Sequence, residues 1–226
     1  MADKRFPHMS WLLAQNRSNI QQLQKLSRCH QAAFAACCCE RLLPVYAAHK
    51  YAESQGDSNQ LRNLLDQVWA FAANKSTHDD LMLLPDEIER LTPDFTASRS
   101  PYAYMAAVVA DAIRYAVKVC LSDSIDELST VIELAFDVID YYLNIANYPY
   151  EEHLHRKETE SYQNWLDQSP LLHAELKHQS WTVQVLIDHE EVDEDLIRTL
   201  REHPSMTYLG IDPLYRGLLG NHPNHV

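Results

Sequence analysis

Between Met1 and Leu209 the chain holds a single glycine, Gly56, and the other three (Gly210, Gly217 and Gly220) fall within its last seventeen residues. Glycine supplies the positive-φ turns that hairpins need and the close backbone approach that phosphate loops need. A chain of 226 residues without it can still build long helices joined by short breaks. The spacing of its apolar residues agrees. Leu61, Leu64, Leu65, Val68, Trp69 and Ala72 recur at helical intervals behind Gly56-Asp57-Ser58, a stop followed by a cap. Pro85-Asp86-Glu87 opens a short helix to Leu91. Ser100-Pro101 starts a nearly all-apolar helix to Leu121, and the capping-box sequence Ser124-Ile125-Asp126-Glu127 starts the next. Such a pair, joined by a short turn, packs antiparallel. The expectation is an all-α, compact multi-helix bundle with two long central antiparallel helices.

The expected organisation is a helical extension over 1–28, a helical domain over 29–203, and an extended or disordered tail over 204–226. Within it, residues 29–54 form an alanine-rich helix that Pro44 either kinks or ends near Leu43. Ser169-Pro170 caps a later helix carrying Leu172, Leu176, Trp181, Val185 and Leu186. The serines at 18, 58, 100, 124 and 169 all read as caps rather than nucleophiles, and no Gly-x-Ser-x-Gly elbow occurs.

The net charge of −13 repels nucleic-acid backbones and anionic membrane surfaces and favours a basic protein partner. No apolar run approaches the roughly 20 residues that span a bilayer, and the first residues lack the apolar core of a secretory signal, so the expected location is the cytoplasm. The five cysteines agree with a reducing compartment. Cys37, Cys38 and Cys39 are consecutive, point about 100° apart on a helix and cannot converge on one metal, so they read as small core residues. Cys29 and Cys120 sit in apolar contexts that blunt a thiol.

Three charged groupings remain. Glu40-Arg41 follows the apolar stretch Ala32 to Cys39 directly and reads as a structural ion pair that locks its helix to a neighbour. Asp188, Glu190, Glu191, Asp193, Glu194 and Asp195 place six acids in eight positions with no glycine for a calcium loop. They read as charge at a helix N-terminus or as a docking surface for a basic partner. Two Glu-x-x-His pairs, Glu152 with His155 and Glu175 with His178, have the spacing of di-iron bundles, with Glu133, Asp137 or Asp111 as further ligands. The simpler account of both pairs is two solvated helix faces.

From Cys29 to Ile211 the chain resembles the bacterial family catalogued as domain of unknown function 416. The resemblance is carried by Phe34-Ala35, Cys39-Glu40-Arg41, Pro44 and Tyr46, then by Leu64-Leu65-Asp66-Gln67-Val68-Trp69. Leu196-Ile197-Arg198-Thr199-Leu200-Arg201 and Leu209-Gly210-Ile211 add to it. It implies a compact all-helical protein with no catalytic residues or cofactor to carry over. The leading functional expectation is a non-enzymatic acidic helical binding protein, on the analogy of immunity proteins that neutralise basic toxins. The alternatives are a metal-dependent enzyme on a helical bundle and a self-associating structural protein that dimerises through Trp11, Leu12 and Leu13.

Overall fold

The computed structural model describes residues 10–98, 101–147 and 168–203, and every regular element among them is a helix. In chain order these are α1 (Ser10–Leu23), α2 (Arg28–Glu53), α3 (Ser58–Ala72), α4 (His78–Leu81) and α5 (Leu84–Leu91). Then come α6 (Pro101–Leu121), α7 (Ile125–Asn147), α8 (Pro170–Ile187) and α9 (Glu194–Glu202). Among the described residues no helix is long and apolar enough to cross a membrane.

α6 and α7 are the two long central helices expected from the sequence, reversed across a three-residue connection and packed along their length. The hub, however, is α2, which packs against both and also against α3, α8 and α9. The reason lies in its small side chains. Ala32 through Cys39 are eight consecutive residues, each no more than 1% exposed, and consecutive positions sweep the whole circumference of a helix. A helix apolar all round belongs inside. Pro44 neither ends nor stops it: α2 continues to Glu53. Proline removes the N–H that would bond the Glu40 carbonyl and costs about 3 kcal/mol in a helix interior. Burial of Val45, Tyr46 and Ala48 beyond it offsets that cost.

The helix ends follow local chemistry. Ser27 caps α2 and accepts from the His30 N–H, Asp57 caps α3 by accepting from Asn59 and Gln60, and Ser169 caps α8. Asp193 caps α9 with a 2.8 Å bond from the Leu196 N–H, and Ser124 accepts from the Asp126 N–H ahead of α7. Two of the serines read as caps sit elsewhere. Ser18 is interior to α1, and Ser58 is the first residue of α3, behind the true cap Asp57. The aspartate wins because its carboxylate takes two N–H groups at once. The expected buried stripe of α3 is the observed one.

Gly56 is needed twice over. Its φ is +84°, and a Cβ there would lie 2.7 Å from Tyr46 Oη, whose hydroxyl donates to the Leu91 carbonyl at 2.6 Å. Gly56→Ala should therefore destabilise the protein by about 1–3 kcal/mol in urea unfolding, with the Tyr46 bond to α5 disturbed. Adding Tyr46→Phe to it should cost less than the sum of the two single changes, because the clash is largely with the hydroxyl.

α1 packs on α7 and α8. Trp11, Leu12 and Leu13 belong to α1, but their side chains lie outside the described residues, as do Glu152, His155 and the whole of 204–226.

Candidate functional site

Adjacent residues on a helix diverge by about 100°, so Glu40 and Arg41 leave α2 toward different neighbours. They do not pair with each other. Each makes its own tie, and the two ties define two polar sites on different sides of the hub.

Arg41 turns inward, 1% exposed, toward α8. Its Nε donates to Glu175 Oε2 at 2.8 Å, its Nη2 donates to Glu175 Oε1, and its Nη1 donates to the Cys37 carbonyl at 2.7 Å. Glu175 Oε1 also accepts from Gln179 Nε2 at 2.7 Å. Gln179 in turn accepts from Asn16, and Asn16 accepts from Asn19, which also donates to Ser180 Oγ at 3.1 Å. This chain of bonds sews α1 and α8 to α2 through a buried seam. Burial opposes the charge on Arg41, but the Glu175 carboxylate more than offsets it, and the guanidinium's pKa is raised.

Beside the seam His178 is 2% exposed, with Trp181 and His203 rings 5.4 Å and 5.7 Å away, and Trp181 stacks on His203 at 3.6 Å. Burial first, then the charges of Arg41 and His203, lowers the His178 pKa to about 2 and holds the ring neutral. Glu175 and His178 are therefore not a solvated helix face. The buried face of α8 is Leu172, Glu175, His178, Gln179, Thr182, Val183 and Leu186, because α2 offers it a fixed cation rather than only apolar surface. Both oxygens of Glu175 are engaged by Arg41, and its expected metal partners Glu152 and His155 lie outside the described residues. Of the further candidates, Asp111 pairs with Arg114 at 2.7 Å, and Asp137 accepts from the Tyr104 hydroxyl at 2.7 Å. Among the described residues no three histidine, cysteine, aspartate or glutamate side chains could hold a metal ion together.

The cysteines are free thiols. Burial pushes Cys38 and Cys120 up to about 12 and raises Cys29, Cys37 and Cys39 as well, so all five are poor nucleophiles.

Glu40 faces the other way. Its Oε1 accepts from Arg62 and lies 3.5 Å from Arg201 Nη2, while its Oε2 accepts from Trp69 Nε1 at 3.1 Å. Arg201 also donates to Asp66 Oδ1 at 3.1 Å, and its guanidinium carbon lies 5.8 Å from the centre of the Trp69 ring. Above this network opens a groove of about 540 Å³ between α3 and α9, lined by Asp66, Trp69, Lys75, Glu194, Arg198 and Arg201 among others. Three of the four stretches that carry the family resemblance meet here: Glu40 from the first, Asp66 and Trp69 from the second, Arg198 and Arg201 from the third; Leu209-Gly210-Ile211 lies outside the described residues.

The six acids expected to bind a partner are all exposed, and one of them, Glu194, lines this groove. Glu194 pairs with Lys75, Asp195 pairs with Arg198, and Asp193 caps α9. Asp188 accepts from Gln184 at 2.9 Å, and Glu190 and Glu191 stand in the connection between α8 and α9. The Lys75 ammonium, through its hydrogen bond and its charge, lowers the Glu194 pKa. Sequence reasoning missed Arg62, Trp69 and Arg201 as partners of Glu40, and Asn16, Asn19 and Gln179 as members of the seam. No periodic signal marks a polar residue whose partner lies 22 positions away, as for Glu40 and Arg62, or 163 away, as for Asn16 and Gln179.

The fold is shared with a solved protein. A DUF416 family protein from Shewanella baltica OS155, known from a crystal structure at 1.91 Å resolution, superposes with a TM-score of 0.66 over 81% of this chain and 91% of its own. At 17% identity the likeness concerns the fold alone. No curated protein matches the chain. Residues 18–211 match the family described as "Protein of unknown function (DUF416)", and the chain belongs to that family.

Proposed function

We propose that this is a non-enzymatic binding protein, an acidic helical body that docks on a basic protein in the cytoplasm, in the manner of an immunity protein that masks a basic toxin. The observation that carries the reading is the exposed acidic run Asp188 to Asp195 beside an open groove, on a chain of net charge −13. Such a field accelerates encounter with a cationic surface and raises its local concentration. Glu190 and Glu191 cap no helix and make no ion pair in the network described above, so they can face a partner without disturbing the fold.

The test is the charge reversal Glu190→Lys with Glu191→Lys. A basic protein recovered with the native chain from its host should dissociate as salt rises, and the reversal should slow its association by about tenfold at low ionic strength. Recovery of no basic protein, or binding indifferent to both salt and reversal, would overturn the reading.

A further inference from the structure

The groove between α3 and α9 already contains a guanidinium. Arg201 reaches across it from α9, lies over the Trp69 ring at 5.8 Å, donates to Asp66 Oδ1 at 3.1 Å and approaches Glu40 Oε1 at 3.5 Å. These are the groups that recognise an arginine side chain: an aromatic face and two carboxylates set around a planar donor. The aromatic wall is itself fixed, since the Trp69 indole N–H donates to Glu40 Oε2 at 3.1 Å and the ring is 3% exposed. Glu40 is held by Arg62. Arg201 retains 34% exposure of its side chain and hangs from α9, a helix of nine residues. Like Arg62, whose side chain is 35% exposed, it can swing into solvent without unpacking the core, and of the two it is the one that lies over Trp69 and bonds Asp66.

We propose that this groove is a seat for an arginine side chain of a basic protein partner, with Arg201 as the resident occupant that the incoming arginine displaces. The proposal deepens the docking reading above and rests on it for the source of the arginine. The choice of a cation over an anion follows from the fixed parts of the cluster. With Arg201 swung away, Asp66 loses its Arg201 donor beside the tryptophan face, Glu40 beneath keeps Arg62, and Glu194 and Glu202 line the walls. Lys75 and Arg198 are each held by a carboxylate at the rim, Glu194 and Asp195. Arginine is favoured over lysine because a compact ammonium cannot stack on the ring and bridge two carboxylates together.

A resident group that fills the seat nine-tenths of the time lowers the apparent affinity of a competitor about tenfold, so removing it should restore that factor. The experiment titrates acetyl-arginine amide into the full chain and follows the indole N–H resonance of Trp69, identified by its loss in Trp69→Phe. In Arg201→Ala the resonance should shift saturably, with an apparent Kd about tenfold below that of the native chain. Acetyl-lysine amide and acetyl-glutamate amide should bind more weakly. Arg201→Gln, which keeps the length of the side chain, serves as a second variant, and thermal unfolding establishes that each is folded. Absence of a saturable shift in a folded Arg201 variant would overturn the proposal, as would equal binding of the lysine or glutamate probe. Either failure concerns the groove alone, since the docking reading is decided separately by the reversal at Glu190 and Glu191.

Discussion

Glu175→Gln is expected to remove about 3–5 kcal/mol of unfolding free energy, which would be a large part of the 5–15 kcal/mol typical of a folded domain. The substitution is nearly isosteric, so the loss does not come from a cavity. It comes from Arg41, left as an uncompensated charge 1% exposed between α2 and α8, with only the Cys37 carbonyl and one neutral amide oxygen to accept from it. Arginine cannot shed its proton to escape the low-dielectric interior, as a buried lysine can. Arg41→Met on its own should cost a similar amount, because it leaves the Glu175 carboxylate buried with Gln179 as its remaining donor. The double variant, Arg41→Met with Glu175→Met, should recover most of either loss. A buried pair of charges exchanged for apolar residues of similar volume is often neutral or stabilising, since both desolvation penalties vanish together. Urea unfolding of the three variants at pH 7 measures this directly. Additive losses in the double variant would mean that the pair is not a coupled unit and that the seam is held by its amides. A double variant that folds but melts over a broad range would show instead that the ion pair selects one register of α8 against α2.

The second large effect is with pH. His49 is fully buried on α2, neither of its ring nitrogens makes a hydrogen bond, and the nearest carboxylate, Glu53, lies 3.8 Å from its Nδ1. Burial lowers its pKa, with Glu53 pulling the other way. His178 is lowered further, to about 2. In the unfolded chain both would titrate near 6.5. Below that pH the unfolded chain binds protons that the native state refuses, so stability is fully present above about pH 6.5 and is lost as pH falls. The slope approaches about 1.4 kcal/mol per pH unit for each histidine. Several carboxylates act in the same sense, among them Asp57, Asp80, Asp94 and Glu194, whose pKa values are lowered by hydrogen bonds. Their window opens below about pH 4.5, where the ordinary carboxylate begins to protonate. Urea midpoints between pH 7 and 5 therefore report the histidines. His49→Leu should remove part of the dependence while keeping the fold, because the ring is fully buried and neither nitrogen makes a hydrogen bond that leucine would lose. A slope unchanged by that substitution would place the acid sensitivity elsewhere.

These two effects trace the boundary between what neighbouring residues specify and what distant ones decide. Helix starts are local events, settled by a side-chain oxygen and an N–H two or three residues on, and Ser124 and Ser169 are legible for that reason, whereas at Ser58 the preceding Asp57 takes the cap. The buried stripe of α3 is equally legible, since its alternation with polar residues repeats every turn. α2 gave its composition away but not its place. A run of alanines and cysteines is a good helix anywhere, and only packing on α3, α6, α7, α8 and α9 makes it the hub. α8 misled more seriously, because Glu175, His178 and Gln179 have the polarity of a surface helix and become interior only against Arg41.

The sequence alone determined the all-helical class, most of the helix ends and the paired long helices α6 and α7. It also determined the family, through the stretches around Glu40, Trp69 and Arg201. The tertiary structure decided which charges are buried and with whom they pair. Arg41 meets Glu175 across 134 positions, and Arg201 meets Asp66 across 135. The physical reason is range. Hydrogen bonds within a helix reach four residues, whereas the cost of an unpaired charge is set by whatever the rest of the chain brings within about 4 Å of it.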